Sequence, residues 1–159
     1  MTLDVRSFRR VLGCFASGVT VVTAIDPATG QPVGVTVSAF STLTLDPPLV
    51  LGCLGRTGSC LAPIQAAGRF AVNILAEDQR DLSNRFAGPV DLRWVGQDWT
   101  PLPGGAPALP FCLASLDCAL DRVVDGGDHL ILIGRVDSAV RRDDGHPLIH
   151  HRGAYLDRG

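Results

Sequence analysis

Residues 112 to 140 constrain the fold more than any other stretch. Cys112, Ala114, Leu116, Cys118 and Leu120 share one parity, and Ser115, Asp117 and Asp121 the other. A two-residue period is that of a strand with one face against a core. Asp125-Gly126-Gly127-Asp128 is hairpin-turn chemistry, and the chain returns over His129 to Val140 with Ile131 and Ile133 on the side of His129. An isolated hairpin is marginal in water, so other strands must complete the sheet.

The rest of the chain supplies them. Strands are predicted over Val19 to Ile25, Pro32 to Phe40, Leu49 to Leu54, Phe70 to Leu75 and Pro147 to Tyr155. Asp26-Pro27-Ala28-Thr29-Gly30 turns the first into the second, and Val33, Val35 and Val37 share a face opposite Thr36 and Ser38. Val5, Phe8, Val11, Leu12 and Phe15 recur at helical spacing, which predicts an amphipathic helix over 4 to 16 with Gly18 closing the segment. Shorter helices are predicted over Cys60 to Ala67 and Glu77 to Phe86. A Pro/Gly-rich connection runs from Gly88 to Pro110, with Trp94 and Trp99 expected to pin it to the body. The chain has no Lys and one Glu against 18 Gly and 11 Pro, so strand and turn formers outweigh helix formers. About seven strands with hairpin connections predict a mainly β fold with short helices: a closed or nearly closed antiparallel barrel forming one domain over 1 to 159.

Charge and composition narrow the function. A net charge of -2, with 14 Arg spread along the chain, argues against nucleic-acid binding. No apolar run reaches the roughly 18 residues of a membrane span. Arg6, Arg9 and Arg10 interrupt the start, which lacks the pattern of a signal peptide, so a cytoplasmic protein is expected. Five cysteines form no C-x-x-C pair, and His146, His150 and His151 are poorly spaced for a metal; reduced thiols and no metal site are expected.

Two segments suit a ligand. Thr36 and Ser38 put small hydroxyls on one strand face, suited to a flat heteroatom-rich ring but equally to an ordinary solvent face. Arg56-Thr57-Gly58-Ser59 follows a strand and opens a helix, giving an anion site or merely a Ser59 helix cap. His129, beside the turn, could donate to a ligand carbonyl or stay a surface histidine. No triad of nucleophile, base and acid can be defended from spacing.

Eight motifs in order resemble a known family. They are Phe8-Arg9-Arg10, Phe15 to Thr23, Gly34-Val35-Thr36-Val37-Ser38-Ala39-Phe40, Asp46-Pro47-Pro48-Leu49-Val50, Phe70 to Leu75, Leu82-Ser83-Asn84-Arg85-Phe86-Ala87, Gly127-Asp128-His129 and His151-Arg152-Gly153-Ala154-Tyr155. Together they resemble the flavin reductase-like family, small NAD(P)H:flavin oxidoreductases of two-component monooxygenase systems. The resemblance implies a Greek-key split β-barrel of FMN-binding type, assembled as a homodimer with flavin near the subunit interface. It implies reduction of FAD or FMN by NADH or NADPH, and delivery of free reduced flavin to a partner oxygenase; no Arg-rich motif for a 2′-phosphate stands out, which leans to NADH. It further implies that Thr36, Val37, Ser38 and Ala39 line the flavin edge. Cys53, Leu54, Gly55, Arg56, Thr57 and Ser59 would then cradle the ribityl phosphate, while Asn84, Arg85 and Phe86 close the site. His129 and Tyr155 would face the nicotinamide, with Gly153 allowing close approach and His129 the candidate catalytic residue. Val37 and Ala39 depart from relatives that carry Asn or a hydroxyl, which shifts weight to backbone amides. Two rival readings share this barrel: a non-catalytic flavin carrier, and a flavin enzyme with another acceptor such as a ferric chelate.

Overall fold

A computed structural model describes residues 3–157. The chain runs through α1 (Val5–Leu12), β1 (Ser17–Gly18), β2 (Thr20–Ile25), β3 (Pro32–Val37), β4 (Phe40–Leu45), β5 (Pro48–Gly55), α2 (Leu61–Ala67), β6 (Arg69–Ile74) and α3 (Arg80–Ala87). A 3-10 turn (Val90–Leu92) and the short strands β7 (Thr100–Pro101) and β8 (Pro107–Ala108) occupy the Pro/Gly-rich connection. The long hairpin of β9 (Ala114–Asp125) and β10 (His129–Arg141) follows, then β11 (Ile149–His151) and β12 (Ala154–Tyr155).

Seven strands form one antiparallel sheet in the order β3-β2-β6-β9-β10-β5-β4. Its edge strands β3 and β4 are consecutive in the chain, separated only by Ser38 and Ala39. Six strand spacings would hold flat edges about 29 Å apart, whereas that link reaches only about 11 Å. The sheet must therefore curl until its edges approach. It does so without a ladder between β3 and β4, so it is a split, open-seamed structure and not a closed barrel. Bulges in the β9–β10 pair at Ile133/Gly134 and Val136/Ser138 assist the curl. At Gly134 a Cβ would lie 2.5 Å from the Phe70 ring, so only glycine lets that ring cross the bulge.

Inside the curl, Val22, Val37, Val50, Leu54, Ile64, Phe70, Val72, Cys118 and Leu132 form the main core. A second core on the outer face joins Val19, Val21, Leu75, Leu109 and Leu148 to Phe86 of α3, with Trp94 and Trp99 packed against it. The two tryptophans thus hold the connection as expected; Trp94 meets Phe86 edge-on at 5.0 Å. The face of β9 that reads as polar is buried at Ser115 and Asp117, and exposed only at Asp121. Asn73 and Ser115 bond one another and the connection, and Asp117, 1% exposed, holds Arg69 at 2.9 Å and the Gly104 N–H at 2.6 Å.

Several sequence expectations need correction. The first helix ends at Leu12, where the bonds shorten to i→i−3 from Cys14 and Phe15 to Val11 O and Leu12 O; Gly18 lies in β1 instead. None of its residues is buried. The strand predicted from Pro32 to Phe40 bends at Ser38 and Ala39 and yields two edge strands, of which β4 was not anticipated. The helix expected from Glu77 starts at Arg80. The last expected strand is a small β11–β12 hairpin that joins β1 in a separate three-stranded sheet.

Candidate functional site

Strands β3, β5 and β10 meet around a cleft of about 130 Å³ lined by Val35, Thr36, Val37, Cys53, Leu54, Gly55, Gly58, Cys60 and His129. Register explains half of this. β5 and β10 pair Gly55 with His129 and Cys53 with Ile131, which fixes the histidine at the end of β5. β3 arrives from the opposite sheet edge, so curling alone brings Thr36 and Val37 to the same place. Six residues named from sequence, Thr36, Val37, Cys53, Leu54, Gly55 and His129, line one cleft; Val35, Gly58 and Cys60 line it without having been singled out.

The β9–β10 turn is clamped beside the cleft. Arg56 donates to Asp125 and to Gly127 O, and its own N–H to Asp128 O at 3.0 Å. The Gly127 N–H first, and Arg56 second, hold the Asp125 carboxyl below its ordinary 3.8. A depressed carboxyl adds stability above its unfolded pKa and loses it as pH falls through the folded value, so the clamp stays charged at neutral pH. Arg56 is therefore spent on the turn and does not stand free for a phosphate. Asp128 Oδ1 lies 2.7 Å from His129 Nδ1, and this bond lowers the Asp128 pKa. With Nδ1–H so engaged, a neutral His129 ring carries its lone pair on Nε2.

The hydroxyls differ in availability. Thr57 and Ser59 are exposed. Cys60, not Ser59, is the N-cap of α2 and makes no side-chain cap bond, so the Ser59 hydroxyl is not consumed as a cap. Thr36 Oγ1 donates to Ser83 O at 2.6 Å and so ties β3 to α3 instead of standing free. Ser38 and Ala39 form the bend between the edge strands, where Ala39 O accepts from the Cys53 N–H at 2.9 Å.

The remaining named residues lie outside this cleft. Asn84 and Arg85 line a neighbouring one of about 370 Å³ with Gly88, Pro89, Leu92 and Val95. Phe86 is 0% exposed and packs under Gly34, where a Cβ would come within 2.7 Å of its ring; it supports β3 from behind and touches no cleft. Tyr155 donates to Asn84 Oδ1 at 3.0 Å and meets Ser83 Oγ at 2.7 Å. Buried Ser83 thus connects Tyr155 to Thr36, a role its place in the Leu82 to Ala87 motif could have suggested. A Cβ at Gly153 would meet no protein atom within 4 Å; its φ of +79° is one that favours glycine in the β11–β12 turn.

The family model for the flavin reductase-like domain matches residues 12–158. The chain belongs to that family. It is an NAD(P)H-dependent flavin reductase of the kind found as the reductase component of two-component monooxygenases. It is 44% identical over 153 residues to the reductase subunit HsaB of a flavin-dependent monooxygenase from Rhodococcus jostii, covering 96% of this chain and 77% of that protein. It is 42% identical to a probable flavin reductase of Rhizobium meliloti, of which it spans about half (49%) while 96% of this chain is matched. The solved NADH:FAD oxidoreductase of Streptomyces globisporus C-1027, in complex with NAD and FAD fragments, superposes with a TM-score of 0.91 at 32% identity, covering 100% of this chain and 97% of that one.

The residues of the flavin reductase fit a flavin. The cleft is a slot for one edge of a ring system, and Thr57 and Ser59 stand exposed on either side of Gly58, which lines it. Outside the cleft, burial pushes the Cys112 thiol up to about 11 and the Cys118 thiol up to about 12, away from thiolate chemistry. Among the described residues no group of three or more His, Cys, Asp or Glu could hold a metal ion. No described helix is long and apolar enough to cross a membrane.

Proposed function

We propose that this flavin reductase carries hydride from NADH, with NADPH as the poorer donor, to FAD or FMN and releases the product to a separate flavin-dependent monooxygenase. The cleft that gathers Thr36, Val37, Cys53, Leu54, Gly55 and His129 carries the reading. Bound flavin supplies the redox chemistry, taking hydride at N5 from nicotinamide C4. The protein stacks and orients the two rings, and proton transfer asks little of it. Backbone of β3 and β5 meets the ring edge, and Thr57 and Ser59 take the phosphate. Asn84 and Arg85, in the adjoining cleft, meet the rest of a dinucleotide. His129, steered by Asp128, places the nicotinamide or steadies charge on the reduced ring. A slot this small suits a flavin that is a released substrate.

The decisive assay is anaerobic NADH oxidation with free FAD and then FMN, repeated with NADPH. Multiple turnovers in proportion to added flavin are expected. Yellow protein inert to both nicotinamides would leave a flavin carrier. His129→Ala is expected to lower kcat or raise the NADH KM about tenfold, and unchanged values of both would remove it from the site. Thr57→Ala with Ser59→Ala is expected to weaken flavin binding by about 1 kcal/mol per lost hydrogen bond, read by fluorescence titration.

A homodimer completes this reading. The stripe of α1 stays exposed, as does Phe15 just beyond it at 83%, and edge strand β4 exposes Leu43 and Leu45. An apolar helix face and an uncovered apolar edge on one protein call for a covering partner. Sedimentation is expected to show a dimer that Phe15→Asp with Leu45→Asp dissociates; an unchanged dimer would place the interface elsewhere. The free cysteines agree with a reducing, cytoplasmic setting.

A further inference from the structure

Of the thirteen described arginines, nine set the guanidinium against a carboxylate or a carbonyl. Arg6, Arg9, Arg10 and Arg152 have no such partner among the described residues, and all four line one groove of about 810 Å³ with Val5, Val11, Gly13, Cys14 and Gly153. No acidic residue lines it. The concentration is unexpected in a chain of net charge -2. It also carries a cost, since Arg6 faces both Arg9 and Arg10 at helical i,i+3 and i,i+4 spacing, where like charges destabilise.

The helix C-terminus gives Arg9 and Arg10, in its last turn, only the partial negative charge of the macrodipole. The Gly13 N–H takes Arg9 O at 2.9 Å, the Cys14 N–H takes Val11 O at 3.1 Å, and the Arg152 N–H takes Gly13 O at 2.8 Å. That last bond locks the β11–β12 turn onto α1 and sets Arg152 opposite the helix arginines. On a helical wheel the three helix arginines centre about 130° from the Phe8 and Leu12 pair, with Val5 and Val11 flanking them at the groove. The same hairpin leads through Tyr155 and Ser83 to Thr36 in the cleft.

We propose that this groove binds the phosphates of a nucleotide. Guanidinium forks match phosphate oxygens bidentately, and the Val5, Val11 and Cys14 walls suit a sugar or base beside them. The inference rests on the flavin reductase reading, whose ligands are nucleotides, and adds a phosphate subsite to it.

Calorimetry with ADP and with 2′,5′-ADP, at low salt and on the full chain, tests it. Binding is expected, weakened at least tenfold in Arg9→Gln/Arg152→Gln, less in Arg9→Lys/Arg152→Lys, and unchanged in Arg135→Gln outside the groove. Preference for 2′,5′-ADP would identify the 2′-phosphate of NADPH as the group held; equal binding would identify the pyrophosphate common to FAD and both nicotinamide dinucleotides. Failure of both nucleotides to bind, binding indifferent to the arginines, or tighter arginine-dependent binding of hexaglutamate would overturn it, the last in favour of an acidic protein segment. NADH turnover by the wild type is read separately, so loss of the reductase reading is distinguishable from loss of the groove.

Discussion

Replacing Asn73 by alanine is expected to cost about 4 kcal/mol of folding stability, read as a shift of the urea unfolding midpoint. Asn73 is 0% exposed near the end of β6. Its Nδ2 donates to Val21 O and Thr23 Oγ1, each at 3.1 Å, and its Oδ1 accepts from the Leu109 N–H at 3.0 Å and Ser115 Oγ at 2.8 Å. Thr23 in turn donates to Pro107 O. The side chain therefore binds two sheet strands to the connection packed over them. Alanine leaves the Leu109 and Ser115 donors buried and unpaired, at about 1–3 kcal/mol each, and opens a cavity as well. Against a total of roughly 5–15 kcal/mol the variant is near unfolding. A loss below about 1 kcal/mol would mean that water replaces the amide and that the network is not a keystone.

Cys53→Phe is expected to reduce flavin-dependent NADH oxidation more than a hundredfold with little loss of stability. Cys53 is half-buried and lines the cleft, and its neighbour Leu54 faces the main core. A phenyl ring there occupies much of about 130 Å³ without entering the packed interior. Steady-state kinetics with free FAD, beside an unfolding curve, separate the two effects. Near wild-type turnover in the folded variant would remove this cleft as the flavin site.

The β9–β10 hairpin was legible because alternation and a Gly-Gly turn are local signals. So was the helical stripe of α1, although not its fate: periodicity says that a face is apolar, not what covers it. Phe86 shows the converse. Its motif was visible, but only the structure shows Gly34 and Trp94 around it, a core contact between residues more than fifty positions apart. Arg56 likewise read as a phosphate ligand until the turn that claims it, about seventy residues on, was folded beside it. Ser115 and Asp117 read as a solvent face because the segment that buries them is an irregular connection with no period to reveal it.

By itself the sequence determined most of the long strands, the rough places of the helices, several turns and the family to which the chain belongs, since these depend on residue order over short windows. Tertiary structure decided the rest. Two residues between β3 and β4 force a seven-stranded sheet to curl, and that curl brings Thr36 and Val37 to Cys53 and His129. It also decided which arginines are neutralised and which four are left around one groove. Such choices depend on distances between segments remote in sequence, which local patterning does not encode.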